Sequence, residues 1–246
     1  MGLLILVRHA HSTANAAGIL SGQRKGVSLT ATGKEQAISL AERIGKADIN
    51  QILISPLERC RETLEPWLEK YGNSRMKVEI EPRLIEVDYG SWSGKKLRSL
   101  TTQKLWSSVQ RTPSRVTFPG GESLLAMQER SMAAIHDAFG ARSSKGHVMV
   151  VSHGDVIKSI VASSLGMHLD EFQRIVIDPA SVTIIDFESP RPRALVINNA
   201  SGSVSALLGD RAKKRILLGG GSGPLAKKKS KYWHELFMNS IQSNAL

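Results

Sequence analysis

Short continuous apolar runs alternate along this chain with longer stretches of helical spacing. Residues 3–7, 51–54, 77–80 and 147–151 read as buried or half-buried strands. Between them, residues 31–46 place Ala37, Leu40, Ala41 and Ile44 at helical intervals behind Thr30, a good N-cap. Pro56 suits the first turn of a helix over about 56–71. Residues 122–139 predict a long helix and 156–165 another, with short helices near 95–100 and 103–110 in an otherwise irregular stretch from 82 to 121. Residues 175–177, 181–187 and 194–198 predict further strands, joined by turns short enough for antiparallel pairing. The alternation predicts an α/β fold: a three-layer α/β/α sandwich with a mostly parallel central sheet and an antiparallel strand near its C-terminal end.

The pattern dissolves after Gly202. One domain over residues 1–205 is expected, followed by a basic, Gly/Lys-rich extension over 206–246 that reads as disordered. Residues 219–224 have linker composition, 227–231 form a charge run, and 232–241 space Trp233, Leu236, Phe237 and Ile241 like a short amphipathic helix. Charge follows the same boundary. From Asp210 onward eight Lys and Arg face two acidic residues, so +6 of the net +11 lies in the extension. The remainder is only mildly basic, and no nucleic-acid partner is expected. No apolar run reaches membrane-spanning length. A single cysteine, Cys60, excludes a disulfide framework or a Cys-rich metal site. Residues 1–7 are too short for a signal-peptide core, so a cytoplasmic protein is expected.

The candidate chemistry begins where the first strand ends. Leu6-Val7-Arg8-His9 opens into the small, polar loop Ala10 to Asn15. A guanidinium beside an imidazole at the carboxyl end of a strand is equipped for a phosphate, since Arg clamps oxygens and His can attack phosphorus. Alone, such a pair is more often a surface charge and a hydrogen-bonded loop histidine. A second apolar strand, however, runs into Ser152-His153-Gly154-Asp155, which suggests two imidazoles converging at one sheet edge.

Five further features fit. Asn15, six residues after His9, can turn its amide back, although an Asn here also suits a cap. Ser21-Gly22-Gln23 holds a glycine that lets backbone N–H groups approach a phosphate. Ser55-Pro56-Leu57-Glu58-Arg59 opens a helix beside the first strand, with Arg59 aimed at the pocket and Arg61 at the surface. Glu86, flanked by Leu84, Ile85 and Val87, is a candidate general acid whose pKa burial would raise, with Asp88 as competitor. Finally, Pro119-Gly120-Gly121-Glu122-Ser123 starts the long helix, where Glu122 or Ser123 serves at least as a cap.

In this order and spacing, these residues resemble the histidine phosphatase superfamily, the phosphoglycerate mutase-like two-histidine enzymes. Within it they resemble an actinobacterial phosphatase or phosphomutase subgroup. The resemblance rests on Arg8-His9 with Ser12 and Asn15, Ser55-Pro56-Leu57 with Arg59, Glu86 with Gly90, Trp92 and Gly94, Gly120 to Ser123, and Ser152-His153-Gly154, spread over residues 3 to about 200. It implies a metal-independent phosphomonoester hydrolase without cofactor, acting on a small phosphorylated metabolite. His9 is then the nucleophile that becomes a phosphohistidine, and Glu86 the general acid and base. Arg8, Arg59 and His153 bind the phosphoryl oxygens, and Ser12, Asn15, Gly22, Gln23 and Gly154 line the phosphate site.

One position departs: Ala10 stands where the family usually has Gly, and its methyl is expected to constrain the loop or narrow the pocket floor. A mutase-type phosphotransferase is the alternative. Val87 and Asp88 argue against it, because Asp88 would repel a second anionic group. A non-catalytic phosphate-binding module is the reading of a different class, and the complete residue set speaks against it.

Overall fold

The computed structural model describes residues 2–140, 146–187, 189 and 191–210. The linker, charge run and amphipathic stretch read between 219 and 241 lie outside the described residues. Six strands form one sheet: β1 Leu4–Arg8, β2 Ile49–Ile54, β3 Lys77–Ile80, β4 His147–Ser152, β5 Val182–Asp186 and β6 Arg193–Asn199. Their order across the sheet is β3-β2-β4-β1-β5-β6. The pairs β1·β4, β4·β2 and β2·β3 are parallel, while β5 runs against both of its neighbours, β1 and β6. The helices are α1 Thr13–Ala16, α2 Ala31–Ile44, α3 Glu58–Tyr71, α4 Leu97–Leu100, α5 Lys104–Arg111, α6 Leu124–Gly140, α7 Gly154–Ser164 and α8 Ser205–Asp210. This is the expected mostly parallel α/β architecture.

Both faces of the sheet are covered, which is why its central strands are continuously apolar over Leu4 to Val7 and Val148 to Val151. Leu4, Leu6, Val148 and Val150 pack with Met127, Ile135, Ile157 and Val161 of α6 and α7. The alternate residues Leu3, Ile5, Val7, Met149 and Val151 pack with Leu40, Ile44, Leu64 and Trp67 of α2 and α3. Thr30 caps α2, its hydroxyl accepting from Gly33 N at 3.1 Å. The parallel register pairs Arg8 with Ser152, the last residues of β1 and β4. His9 and His153 therefore leave the sheet side by side, in the crevice at the carboxyl ends of the strands.

Three expectations are corrected. Helix α3 starts at Glu58 behind Leu57, so Pro56 precedes the helix and is exposed. Residues 175–177 form no strand. They follow a 3₁₀ turn over Leu169–Arg174, and the Ile177 carbonyl accepts from the Arg8 guanidinium instead of a neighbouring strand. Beyond Gly202 order continues: Ser205–Asp210 is helical, and Val204 and Leu208 are buried in the cluster under α2 and α3.

The irregular stretch is pinned by a close crossing of two loops. Gly90 adopts φ +51°, and a Cβ there would lie 2.3 Å from Pro119 O and 2.5 Å from Gly121 N. Only a residue without a side chain fits. This crossing sets Trp92 and Phe118 beside each other over the carboxyl end of the sheet, with ring centroids 5.5 Å apart.

Candidate active site

His9 and His153 are both buried, with ring centroids 5.3 Å apart. His9 N donates to Ser152 O at 2.9 Å, tying the loop to the end of β4. His9 Nδ1 lies 2.8 Å from Ala10 O. A carbonyl only accepts, so Nδ1 carries the proton and the lone pair sits on Nε2. Burial, reinforced by Arg59 and Arg8, pushes His9 well below the ordinary imidazole range. The ring is thus a neutral nucleophile oriented by its own backbone.

His153 is held from behind. Its Nε2 lies 2.7 Å from Ser55 Oγ, and its Nδ1 lies 3.2 Å from an Arg59 Nη2 and 3.9 Å from Glu86 Oε2. Arg59 only donates, so Nδ1 is the unprotonated atom here. Burial, with the Arg59 charge next, holds this imidazole far below its usual range.

The two guanidiniums carry N–H groups that the protein leaves unmet. Arg59 is fully buried; its Nη2 donates to Gly22 O at 3.0 Å, while Nε and Nη1 have no hydrogen-bond partner. Arg8 reaches Ile177 O through Nη1, and its buried Nε also has no partner. Unmatched buried donors are costly, of order 1–3 kcal/mol each and more on a charged group. Three of them around one imidazole form a charge-assisted cradle for an anion.

Glu86 enters from the turn after β3. Ser152 Oγ donates to Leu84 O at 2.8 Å, and Arg130 donates to Arg83 O, Ile85 O and Glu86 O, so the loop is fastened to the end of β4 and to α6. Arg130 is itself gripped by Glu122, whose Oε1 and Oε2 accept from it at 2.6 and 3.0 Å. Burial, with the Asp155 charge second, raises the Glu86 carboxyl to about 7. Such a group donates a proton near neutrality and takes it back.

An open cavity of about 460 Å³ extends outward from His9. Arg8, His9, Asn15, Gly22, Glu86 and Gly154 line it. Arg59 and His153 form the layer behind His9. Asn15 has both roles weighed for it. Its Oδ1 accepts from Ser12 N at 3.0 Å as part of a capping box, and the residue also faces the cavity.

Ser12 and Gln23 are placed differently from the expectation. Ser12 is buried as the N-cap of α1, its hydroxyl spent on Asn15. Gln23 Nε2 donates to Glu86 O at 2.9 Å, which supports the acid's loop. Neither lines the cavity. Ala10 also faces away: it packs in the α2–α3 cluster with Leu29, Ala37 and Cys60, so its methyl does not narrow the floor. Asp88 is likewise outside the cavity, its Oδ1 accepting from Gly90 N, so it does not face the ligand as expected. Glu122 serves as a brace for Arg130 rather than as the cap of α6; Ser123 Oγ accepts from Ala126 N instead.

Four participants were not read from the sequence. Asp155 and Tyr89 line the cavity, joined by a 2.8 Å bond from the Tyr89 hydroxyl to Asp155 Oδ2; Lys158 and Arg130 complete the group. Asp155 had a signal, an acid in the first turn of the helix that His153 opens. Arg130 had none, since it is one charge among several on α6. Cys60 lies 3.6 Å from His153, but burial lifts its thiol to about 12, so it is inert.

Residues 4–200 match the model of the histidine phosphatase superfamily (branch 1). The chain is 33% identical over 198 residues to phosphoserine phosphatase 1 of Hydrogenobacter thermophilus, covering 79% of this chain and 91% of that protein. It is 30% identical over 187 residues to "Probable phosphoglycerate mutase GpmB" of Proteus mirabilis, covering 75% and 84%. The crystal structure of the alpha-ribazole phosphatase from Shigella flexneri superposes with a TM-score of 0.71 at 26% identity, covering 82% of this chain and 98% of that one. No helix among the described residues is long and apolar enough to cross a membrane.

Proposed function

The chain belongs to the histidine phosphatase superfamily and is a phosphatase of that type, and from that premise we propose that it hydrolyses phosphomonoesters of small metabolites through a phosphohistidine on His9. The observation that carries the residue assignment is the His9 ring itself. Its Nδ1 proton is fixed on the Ala10 carbonyl, which leaves Nε2 neutral, and Arg59 and Arg8, whose charges act on this ring, keep N–H groups that lack protein partners.

In the first step Nε2 attacks phosphorus while the P–O bond to the alcohol breaks. Glu86, protonated near neutrality, gives its proton to the leaving oxygen. Arg8 and Arg59 neutralise the equatorial oxygens, His153 orients the Arg59 guanidinium through its Nδ1, Asn15 adds a hydrogen bond, and the amino end of α7 at Gly154 adds its dipole. In the second step Glu86, now a carboxylate, removes a proton from water. The oxygen attacks the phosphohistidine, the P–N bond breaks, and inorganic phosphate leaves with His9 neutral again. Positioning and charge neutralisation supply most of the catalysis, which suits a site whose charges are built in. A cytoplasmic location accompanies this reading, supported by the single cysteine, Cys60, buried and unpaired with sulfur.

The Proteus mirabilis relative favours a second reading, return of the phosphoryl group to another hydroxyl of the same substrate. Incubation with 3-phosphoglycerate and a bisphosphorylated primer separates the two: free phosphate supports hydrolysis, 2-phosphoglycerate supports transfer. The primary test is His9→Ala. Hydrolysis of p-nitrophenyl phosphate should fall by at least about 10³-fold, and protein quenched in alkaline denaturant should lose the acid-labile phosphoryl label that the wild type carries. Equal rates from the two proteins would overturn the assignment.

A further inference from the structure

The outer half of the cavity is chemically unlike its phosphate end. Trp92 and Trp106 stack at 6.3 Å with 24° between their planes, and Phe118 meets Trp92 edge-on. All three line the cavity. Two large apolar side chains also stand at its lining in contact with water, Leu97 at 40% and Val176 at 61% exposure. Apolar groups gathered at the mouth of a pocket mark a surface that a ligand covers.

The charges point the same way. Beyond Arg8, Lys158 is the one cation lining the cavity among the described residues, and it is engaged, 3.4 Å from Asp155 Oδ1 and 3.2 Å from Gln173 Oε1. Asp155 and Asp178 line the cavity as well. A carboxylate carried by the substrate would meet Asp178 and a lysine whose charge Asp155 already balances. A ring or hydrocarbon would meet indoles and aliphatic side chains.

We propose, on the basis of the phosphatase reading above, that the substrates are phosphomonoesters of uncharged alcohols bearing an aromatic ring or a comparable apolar group. That group lies against the half-buried Trp106, which is backed by the buried Trp92, and near Leu97 and Val176. Phosphoesters that carry a carboxylate are discriminated against.

The test compares kcat/KM for 2-phenylethyl phosphate, ethyl phosphate, phosphoserine and 3-phosphoglycerate. All four release an alkyl alcohol, so no aryl leaving group masks binding. Phenylethyl phosphate should exceed phosphoserine and 3-phosphoglycerate by about ten-fold or more, mainly through KM. Trp106→Ala should lower the phenylethyl-to-ethyl ratio about ten-fold, and Trp106→Phe should restore most of it. Val176→Lys, at the exposed rim, should raise the phosphoserine-to-phenylethyl ratio; this variant and the wild-type series decide the matter if Trp106→Ala fails to fold. His9-dependent hydrolysis that favours phosphoserine or 3-phosphoglycerate would overturn the substrate class and leave the reaction standing. An equal loss on all four esters in Trp106→Ala would also overturn it. Failure to hydrolyse any of the four would overturn the reaction and the substrate class together.

Discussion

The phosphate end and the outer half of the cavity are made from different kinds of backbone. Arg8, His9 and His153 stand at the ends of two paired central strands, and Arg59 sits in the second position of a long helix. Trp92, Leu97, Trp106 and Phe118 come from the stretch between β3 and α6, built of short helices and turns. The first set is polar and fixed by hydrogen bonds; the second is apolar and fixed by ring packing, with Trp92 and Phe118 buried beneath the more exposed Trp106 and Leu97. Chemistry that tolerates little displacement thus rests on the sheet, and contacts that select a leaving group rest on a segment free to vary without disturbing it.

The largest expected contrast comes from Arg59→Ala. It removes the fully buried guanidinium, and kcat/KM for p-nitrophenyl phosphate should fall about 10²–10³-fold, with a parallel loss of inhibition by inorganic phosphate. Circular dichroism checks that the variant is folded. A loss no greater than that caused by Trp106→Ala would erase the distinction between the two halves.

Glu86→Gln is next. With alkyl phosphates, which need a proton on the leaving oxygen, kcat should drop about 10²-fold; with p-nitrophenyl phosphate the drop should be much smaller. The wild-type rate should decline as pH rises through about 7, where Glu86 loses its proton, and the variant should lack that limb. Stability follows with a definite sign. The folded carboxyl keeps its proton to about 7, whereas the unfolded one releases it near 4.5. Between these values the unfolded state binds fewer protons, so the wild type loses stability as pH rises, by an amount of order 3 kcal/mol. Melting curves should show Glu86→Gln gaining on the wild type at pH 8 relative to pH 4. A gain independent of pH would contradict the buried-acid assignment.

Gly90→Ala probes the outer half through its backbone. The added methyl meets Pro119 O and the strained φ persists, so stability should fall by roughly 1–3 kcal/mol, seen as a melting temperature several degrees lower. The smallest effect belongs to Ala10→Gly. One buried methyl is lost at about 0.8 kcal/mol, and kcat should stay within about two-fold of wild type, because that methyl faces the α2–α3 cluster. A large change in kcat would mean that the loop geometry, rather than the cradle, limits the rate.

The same division governs what could be read from the sequence. Strands buried on both faces are continuous apolar runs, so β1 and β4 were legible, and with them the two histidines at their ends. Arg59 followed from the strand–turn–helix pattern beside them. The run at 175–177 misled because an apolar stretch packed against a helix looks the same as a strand. Its backbone serves Arg8 instead of a ladder. Ser12 and Gln23 were assigned to the ligand because spacing shows proximity but not which way a hydrogen bond points. In the outer half the aromatic residues were visible one by one. What joins them is the crossing at Gly90 and Gly121, a contact between distant loops that no local period records.

The register that seats His9 beside His153 also dates the moment at which this chain becomes an enzyme. Strands β1 and β4 are neighbours in the sheet, yet Leu3 and His147, which bond across their start, are 144 residues apart. During synthesis the nucleophile emerges well before its partner imidazole and the strand that aligns it, since the two are separated by most of the domain. Closing so long a loop is a late, slow event in folding. A truncated product ending before β4 carries His9 and both arginines but lacks the strand pairing and the Ser152 carbonyl that fix the His9 loop, so assembly of the site waits on the completed sheet.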